Sequence, residues 1–405
     1  MMNRIDLESR YCAQNYRPLP VVLTRGEGVH VWDESGKRYL DMMSAYSAVS
    51  HGHANPRLVR LVQEQVARLN IVSRAYYTDK LGPFLKRACE LTGQDMALPM
   101  NTGAEAVETA LKTVRKWAYT VKGVEHNKAE IIACRGNFHG RTIAIVAMSD
   151  EPQYQQDFGP FPAGFKLVDY GDIEALEAAI TDNTAAFLVE PIQGEGGIIV
   201  PPDGYLKAAE QLCRKHNVLL VADEIQTGLG RTGTLLACQH EDVQPDGLIL
   251  GKALGGGILP VSLFLARREV MQVFTPGDHG STFGGNPLAA AVALEALNIL
   301  VEEELPRRSA ELGAHLLAAL REIDSPVIKE VRGRGLFIGI EIDASLVTAR
   351  SVCEALMERG LLSKETHATV VRLAPPLIIS KADIDWAVAQ IREVLGEIDR
   401  MRLAS

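Results

Sequence analysis

Four short stretches combine residue types able to bind an anion, hold a proton, attack a carbonyl and grip a carboxylate. The first is Met100-Asn-Thr-Gly-Ala-Glu105, where small residues open a helical pattern. Backbone N–H groups at such a helix start have no intrahelical acceptor and favour phosphate, so Gly103 and Ala104 are candidate phosphate contacts. An ordinary N-cap by Asn101 or Thr102 is the plainer alternative. The second stretch, Val218-Leu-Leu-Val-Ala-Asp223-Glu-Ile-Gln226, puts Asp223 directly after an apolar run. Such an Asp is either a cap or a working carboxylate, and beneath a pyridine ring it would keep the ring nitrogen protonated. The third, Asp246-Gly-Leu-Ile-Leu-Gly-Lys252-Ala-Leu-Gly-Gly-Gly, sets Lys252 among glycines. Lys252 is a solvated loop lysine or, if desolvated after a buried strand, an amine whose pKa falls far enough to attack an aldehyde. The fourth, Asn137-Phe138-His139-Gly140-Arg141-Thr142, offers a flat ring and a planar fork for a carboxylate. A core Phe beside a surface salt bridge is the alternative there, and His139 reads as a packing residue of the same pocket.

Together the four stretches say more than any one of them. A phosphate cradle, a strand-end carboxylate, a lysine 29 positions after it, and an aromatic with an arginine between cradle and carboxylate are what pyridoxal phosphate (PLP) requires. Lys252 is therefore expected to anchor PLP.

Such groups need elements to hold them. Between about residue 100 and 267, short apolar runs alternate with helical segments. The runs are Ile131–Cys134, Ile143–Met148, Lys166–Asp169, Ala185–Glu190, Val218–Asp223, Gly247–Leu250 and Val261–Ala266, all read as strands. Helical patterns cover Gly103–Thr120, Asp172–Ile180 and Tyr205–His216. Fully apolar strands separated by helices predict an α/β fold, a large doubly wound, mainly parallel seven-stranded sheet covered on both faces. Ahead of it, Gly28–Trp32 and Lys37–Leu40 read as a hairpin and Pro56–Asn70 as an amphipathic helix. After Pro287 come two helices, a glycine-broken strand stretch over Ile328–Ile342, and helical patterns at Cys353–Arg359 and Asp383–Ile398. The expected division is 1–45 as a segment joining a small α+β domain, 46–290 as the large cofactor-binding domain, and 291–405 as the small C-terminal domain.

Bulk properties narrow the function classes. A 405-residue chain exceeds one ordinary core, and 47% hydrophobic with 23% charged residues suits a large mixed α/β enzyme. The net charge of −9, without a terminal Lys/Arg block, argues against a nucleic-acid partner. Six cysteines without a CxxC pair read as isolated thiols, with neither a disulfide framework nor a metal site. The first twelve residues lack the apolar core of a signal peptide, and the longest apolar run, Leu288 to Leu300, contains Glu295 and Asn298. A cytoplasmic protein without a membrane segment is expected.

Taken in order, NTGAEA, NFHGRT, VEPIQGEGG, ADEIQTGLGRTG, GKALGGG and HGSTFGGNPLA resemble the class III aminotransferases, PLP enzymes of fold type I, over nearly the whole chain from Tyr16 to Arg372. The resemblance implies that Lys252 is the Schiff-base lysine and proton shuttle, that Asp223 pairs with the ring nitrogen and Gln226 with the 3-hydroxyl, and that Phe138 and Ile225 sandwich the ring. It implies phosphate contacts from Gly103 and Ala104. It also implies that Ser281 and Thr282 reach the neighbouring subunit's phosphate, hence a homodimer with shared sites and small-molecule substrates. Asn15-Tyr16-Arg-Pro-Leu-Pro20, Ser44-Ala-Tyr46-Ser-Ala-Val49, Leu98-Pro-Met-Asn101 and Arg372-Leu-Ala-Pro-Pro376 are similar to the family members that move the δ-amino group of ornithine to a 2-oxo acid. In those, the Tyr16 and Arg141 positions hold the α-carboxylate, Tyr46 shapes the pocket, Arg372 receives the second carboxylate of glutamate or 2-oxoglutarate, and Glu195 masks Arg372 when ornithine is bound. His139 stands where such members often carry Trp, whereas His is common in acetylornithine and 4-aminobutyrate relatives. Those ω-amines, and less readily racemisation or decarboxylation, are the competing reactions; a binding protein that kept the fold would lack a use for both Lys252 and Asp223.

Overall fold

The computed structural model describes residues 3–403. Its centre is a seven-stranded sheet of β1 Met96–Met100, β2 Glu130–Cys134, β3 Phe165–Val168, β4 Thr184–Val189, β5 Leu219–Asp223, β6 Gly247–Leu250 and β7 Ser262–Ala266, in the order β1-β7-β6-β5-β4-β2-β3. The β3-β2-β4-β5-β6 pairs are parallel, and β7 runs antiparallel to both β6 and β1. Every residue of β4 and β5 is buried. Side chains alternate between two cores: Ile132, Phe187, Leu220 and Ala222 pack on one face, and Ile131, Leu188, Leu219 and Val221 on the other. That period-two distribution is why these strands read as continuous apolar runs.

Seven strands were expected and seven are found, but one of them is different. Ile143–Met148 does not extend; Ile143–Val146 forms a short helix after Thr142. A short apolar run buried by the same core has no periodicity that separates strand from helix turn. The seventh strand is instead Met96–Met100, which contains Pro99. Proline is tolerated there because β1 lies at the sheet's edge, paired with β7 alone.

The helix over Gly103–Trp117 follows β1 and starts with a capping box, Thr102 Oγ1 accepting the Glu105 N–H while the Glu105 carboxylate accepts the Thr102 N–H. At the N-terminal side, the expected hairpin is His30–Asp33 against Arg38–Asp41, with a further strand, Leu23–Glu27, pairing outside it. Leu361–Leu362 pairs parallel with Leu40–Asp41, tying this small sheet to the C-terminal region. The glycine-broken stretch resolves into Ile328–Arg334 and Phe337–Ile342, which join Val370–Leu373 and Lys364–Thr366 in a third sheet. The amphipathic helix expected from Pro56 ends at Val66. Helices over Pro287–Glu302, Leu305–Arg321, Ala349–Glu358 and Lys381–Leu403 complete the C-terminal part. Among the described residues no helix is long and apolar enough to cross a membrane, and no cluster of His, Cys, Asp and Glu could hold a metal. All six cysteines are free thiols.

Candidate active site

The carboxyl ends of β2, β4, β5 and β6 converge where the strand order reverses, the crevice at which open α/β sheets bind ligands. A cavity of about 200 Å3 opens there. Gly103, Ala104, Phe138, Asp223, Ile225, Gln226 and Lys252 all line it, so seven residues picked from separated motifs share one wall system. The plainer reading of the Asn101–Glu105 stretch, a cap, is found, and it leaves room for the other. Thr102 caps the helix, and the first two residues of that helix still face the cavity with amides that have no intrahelical acceptor. A Cβ on Gly103 would meet Ile225 Cδ1 at 2.9 Å, which explains the need for glycine at this close approach.

Asp223 ends β5 and is buried; its Oδ1 accepts the Ile225 N–H at 3.1 Å and its Oδ2 lies 2.7 Å from His139 Nδ1. Burial pushes the His139 pKa down, but the hydrogen bond and charge of Asp223 outweigh it and leave the imidazole above its ordinary value. His139 Nε2 is buried with no hydrogen-bond partner among the described residues. His139 is therefore more than packing: it buttresses the strand-end carboxylate.

Lys252 follows Gly251 with φ of 44°, a left-handed conformation that costs an L residue on the order of 1–3 kcal/mol and persists where the surroundings enforce it. Burial holds its ammonium below the ordinary lysine pKa, and the carboxylates of Glu195 and Asp223 oppose that fall without cancelling it. The amine is thus predisposed to be neutral and nucleophilic.

These groups fit PLP. A helix N-terminus meets a phosphate, a buried carboxylate backed by imidazole meets a ring nitrogen, Phe138 and Ile225 offer apolar surface for a ring, and a desolvated amine meets an aldehyde.

A second group of residues lies beside this cavity. Arg372, on Val370–Leu373 and buried, donates from Nη1 to Glu195 Oε1 at 2.6 Å. Its guanidinium carbon sits 5.1 Å from the centre of the Tyr46 ring, a cation–π contact. Burial raises the Glu195 pKa, yet Arg372 overrides that and holds the carboxyl below its ordinary value. Arg141 is exposed and lies over Tyr154, 3.5 Å from its ring centre, with Phe138 at 5.4 Å. Tyr16 is 74% exposed in a separate groove formed by residues 4–23; burial is what mainly raises the pKa of Tyr46, and the Tyr16 phenol is near enough to add to that rise. Ser281 and Thr282 do not line the cavity of their own chain: Ser281 Oγ accepts from Asn101 Nδ2 at 3.0 Å, and Thr282 is exposed.

Two residues of the site were not singled out from the sequence. Glu190 ends the apolar run of β4 as Asp223 ends that of β5, so the rule that found one could have found the other. Its carboxylate accepts the Phe138 N–H at 2.8 Å and the Gly194 N–H at 3.1 Å, and burial pushes its pKa up to about 7. Tyr154, which carries the Arg141 stack, has no sequence signal of its own.

Known proteins are similar to this chain in sequence and fold. The family model "Aminotransferase class-III" covers residues 11–395. Ornithine aminotransferase 2 of Staphylococcus aureus is 59% identical over 96% of this chain and 98% of its own length. The solved ornithine aminotransferase of Toxoplasma gondii, with PLP at partial occupancy in its active site, superposes with a TM-score of 0.97 at 47% identity, covering 98% of this chain and 94% of that one. The acetylornithine aminotransferase of Elizabethkingia anophelis gives a TM-score of 0.88 at 48% identity, over 97% of this chain and 98% of that one.

Proposed function

The chain belongs to the class III aminotransferase family, and from that premise we propose that it moves the δ-amino group of L-ornithine to a 2-oxo acid, 2-oxoglutarate. The products are glutamate and glutamate 5-semialdehyde, which cyclises to pyrroline-5-carboxylate. The observation that carries the reading is the Glu195–Arg372 pair at 2.6 Å beside the PLP cavity, with Tyr46 against the guanidinium. A second cation is useful to a dicarboxylate, and an internal carboxylate that neutralises it suits a first substrate whose far end is not a second carboxylate.

PLP, when bound, supplies the aldehyde that carries the amino group between half-reactions and the ring that absorbs electrons. The chain's own residues do the rest. Asp223, backed by His139, holds a proton at the ring nitrogen. Lys252 Nζ, its pKa lowered by burial, would be the group that takes and returns a proton beside the cofactor. Phe138 and Ile225 would hold the ring between them, Gln226 would meet the 3-hydroxyl, and Gly103 and Ala104 would meet the phosphate. Tyr16 and Arg141 anchor the α-carboxylate of ornithine, leaving the δ-amine rather than the α-amine at the aldehyde. Tyr46 borders the α-amino group, and Arg372 takes the second carboxylate of glutamate once Glu195 swings away.

The working unit in this reading is a homodimer in which Ser281 and Thr282 reach the partner's phosphate. Support comes from the exposed Phe283 beside them and from exposed Tyr76 and Tyr77, large apolar surface of the kind a subunit contact covers. The N-terminal segment to about residue 45 belongs with the small domain beyond 290, as the Leu361–Leu362 pairing with Leu40–Asp41 supports. Six free thiols suit the cytoplasm.

Acetylornithine is the second donor to weigh, since the Elizabethkingia relative acts under that name and His139 occupies the pocket here. An amine-donor panel with 2-oxoglutarate decides. Pyrroline-5-carboxylate from ornithine at a kcat/KM above that for acetylornithine and 4-aminobutyrate is expected, and the reverse order overturns the assignment.

A further inference from the structure

We propose that Arg231 is a positioning residue for substrate selectivity: it holds the left-handed turn Ser44–Ser47 that presents Tyr46 to Arg372. The proposal rests on the reading of Tyr46 and Arg372 as substrate residues given above.

The turn is costly by itself. Ser44, Ala45, Tyr46 and Ser47 have φ of 43°, 47°, 59° and 75°, four successive L residues in the left-handed region. Each such residue costs on the order of 1–3 kcal/mol, so the conformation survives only where surrounding contacts over-determine it. The contacts are present at both ends. Asp41 Oδ1 accepts the Met43 and Ser44 N–H groups at 2.9 and 2.8 Å, while its Oδ2 is held by His53 Nε2 at 2.7 Å. Ser44 Oγ donates to the Ala374 carbonyl at 2.6 Å, and Ser50 Oγ donates to the Ser47 carbonyl at 2.9 Å.

Arg231 joins these contacts into one unit. It is fully buried, and its hydrogen bonds go to neutral acceptors: Nη1 donates to the Leu336 and Pro375 carbonyls at 2.9 and 2.6 Å, and Nη2 donates to Ser50 Oγ at 3.0 Å and Ser44 Oγ at 3.4 Å. Burial makes this cation expensive for structure alone, where a neutral donor would serve, and the nearby Asp41 carboxylate offsets that cost only in part. The geometry explains the choice. Arg231 follows Asp223 and Gln226 in the same loop, Pro375 follows Arg372, and the two serines bracket Tyr46. One rigid fork therefore registers the cofactor segment, the Arg372 strand end and the Tyr46 turn against one another. A lysine keeps the charge but has no planar fork to satisfy four acceptors on three segments.

The test uses the holoenzyme and compares kcat/KM for ornithine with that for 5-aminopentanoate, which has the same terminal amine and no α-amino group. Arg231→Lys, Ser50→Ala and Tyr46→Ala are made singly, and Arg231→Lys is combined with Tyr46→Ala, with Tm and the visible absorbance of bound PLP recorded for each. Expected is a fall of about tenfold in the ornithine preference for Arg231→Lys and a smaller fall for Ser50→Ala, with the absorbance unchanged, and no further fall when Arg231→Lys is added to Tyr46→Ala, as for two residues acting through one contact. If Tyr46→Ala shifts the preference and neither Arg231→Lys nor Ser50→Ala does, or if the effects of Arg231→Lys and Tyr46→Ala simply add, Arg231 does not act through Tyr46 and the proposal fails alone. If Tyr46→Ala leaves the preference unchanged, the reading of Tyr46 fails and takes the proposal with it. Should Arg231→Lys not fold, Ser50→Ala, which removes one anchor of the turn, decides.

Discussion

Replacing Glu195 by alanine should shift the balance between the two half-reactions strongly toward glutamate. Arg372 has a side chain 3% exposed, and its Nη1 bond to Glu195 Oε1 is 2.6 Å long. A hydrogen bond between charged groups contributes about 1.5–3 kcal/mol, or roughly 10- to 150-fold in an equilibrium. Wild-type enzyme must give up that bond to admit glutamate, so its removal should speed the glutamate half-reaction by about tenfold at the low end of that range. With ornithine the same change leaves a buried cation unpaired and should slow the half-reaction by at least about tenfold. The ratio of the two rate constants then moves by about 100-fold, and Glu195→Gln, which keeps one acceptor, should fall between. The assay is rapid mixing of each amine alone with holoenzyme, following the visible absorbance of bound PLP. A ratio within about threefold of wild type would refute the gate, because that is below the smallest effect such a bond allows. The pH dependence carries the same logic. The folded Glu195 carboxyl is held below its ordinary 4.5, so the charged pair persists above that pH and its contribution is lost only as pH falls through the lowered value. Wild-type discrimination should therefore stay flat from alkaline pH down to about 4.5.

Three further outcomes follow from the geometry. Burial lowers the Lys252 pKa, which makes the neutral amine available at lower pH and disfavours the charged form in the folded state; reloading of PLP onto cofactor-free protein should rise with pH to a plateau with its midpoint below 10.5, and a midpoint at or above 10.5 would contradict the desolvated site. Gly103→Ala brings a Cβ to 2.9 Å from Ile225 Cδ1, so PLP should dissociate about tenfold more readily, the scale of a modest overpacking penalty, and an unchanged dissociation constant would mean that Ile225 does not set the ring's position. Phe187→Ala empties a fully buried position on β4 and should cost about 3–5 kcal/mol in denaturant unfolding, with a loss under about 1 kcal/mol showing that the sheet's core repacks freely.

How much of this was legible beforehand depended on the kind of signal. Strands β2 to β7 were readable because both faces of the sheet are covered, which turns each strand into an apolar run followed by a polar residue, and those residues are Asp223 and, one glycine later, Lys252. The edge strand β1 escapes a sequence reading because Pro99 argues against a strand; the Ile143 turn reads as a strand because a four-residue apolar helix is indistinguishable from a buried strand by period alone. Most residues lining the cavity are legible in the sequence, since they sit in glycine-rich or strand-end contexts. The support behind it was not. His139 against Asp223, Glu190 against Phe138, and Arg231 behind Tyr46 are contacts between segments far apart in the chain, and nothing local marks them or the Tyr154–Arg141 stack. Tyr16, 74% exposed in one chain, and the Ser281–Thr282 pair belong to parts of the proposed site that a single cavity does not assemble.

Everything above turns on Lys252 holding PLP and on the protein moving an amino group through it. Borohydride reduction of holoenzyme, followed by peptide mass spectrometry, tests it most directly, with Lys252→Ala as the paired sample. The pyridoxyl group should be found on Lys252, and the variant should lack both the visible absorbance of lysine-bound PLP and transamination of ornithine. A pyridoxyl group on any other lysine, or a Lys252→Ala protein that keeps the absorbance and the activity, would contradict it.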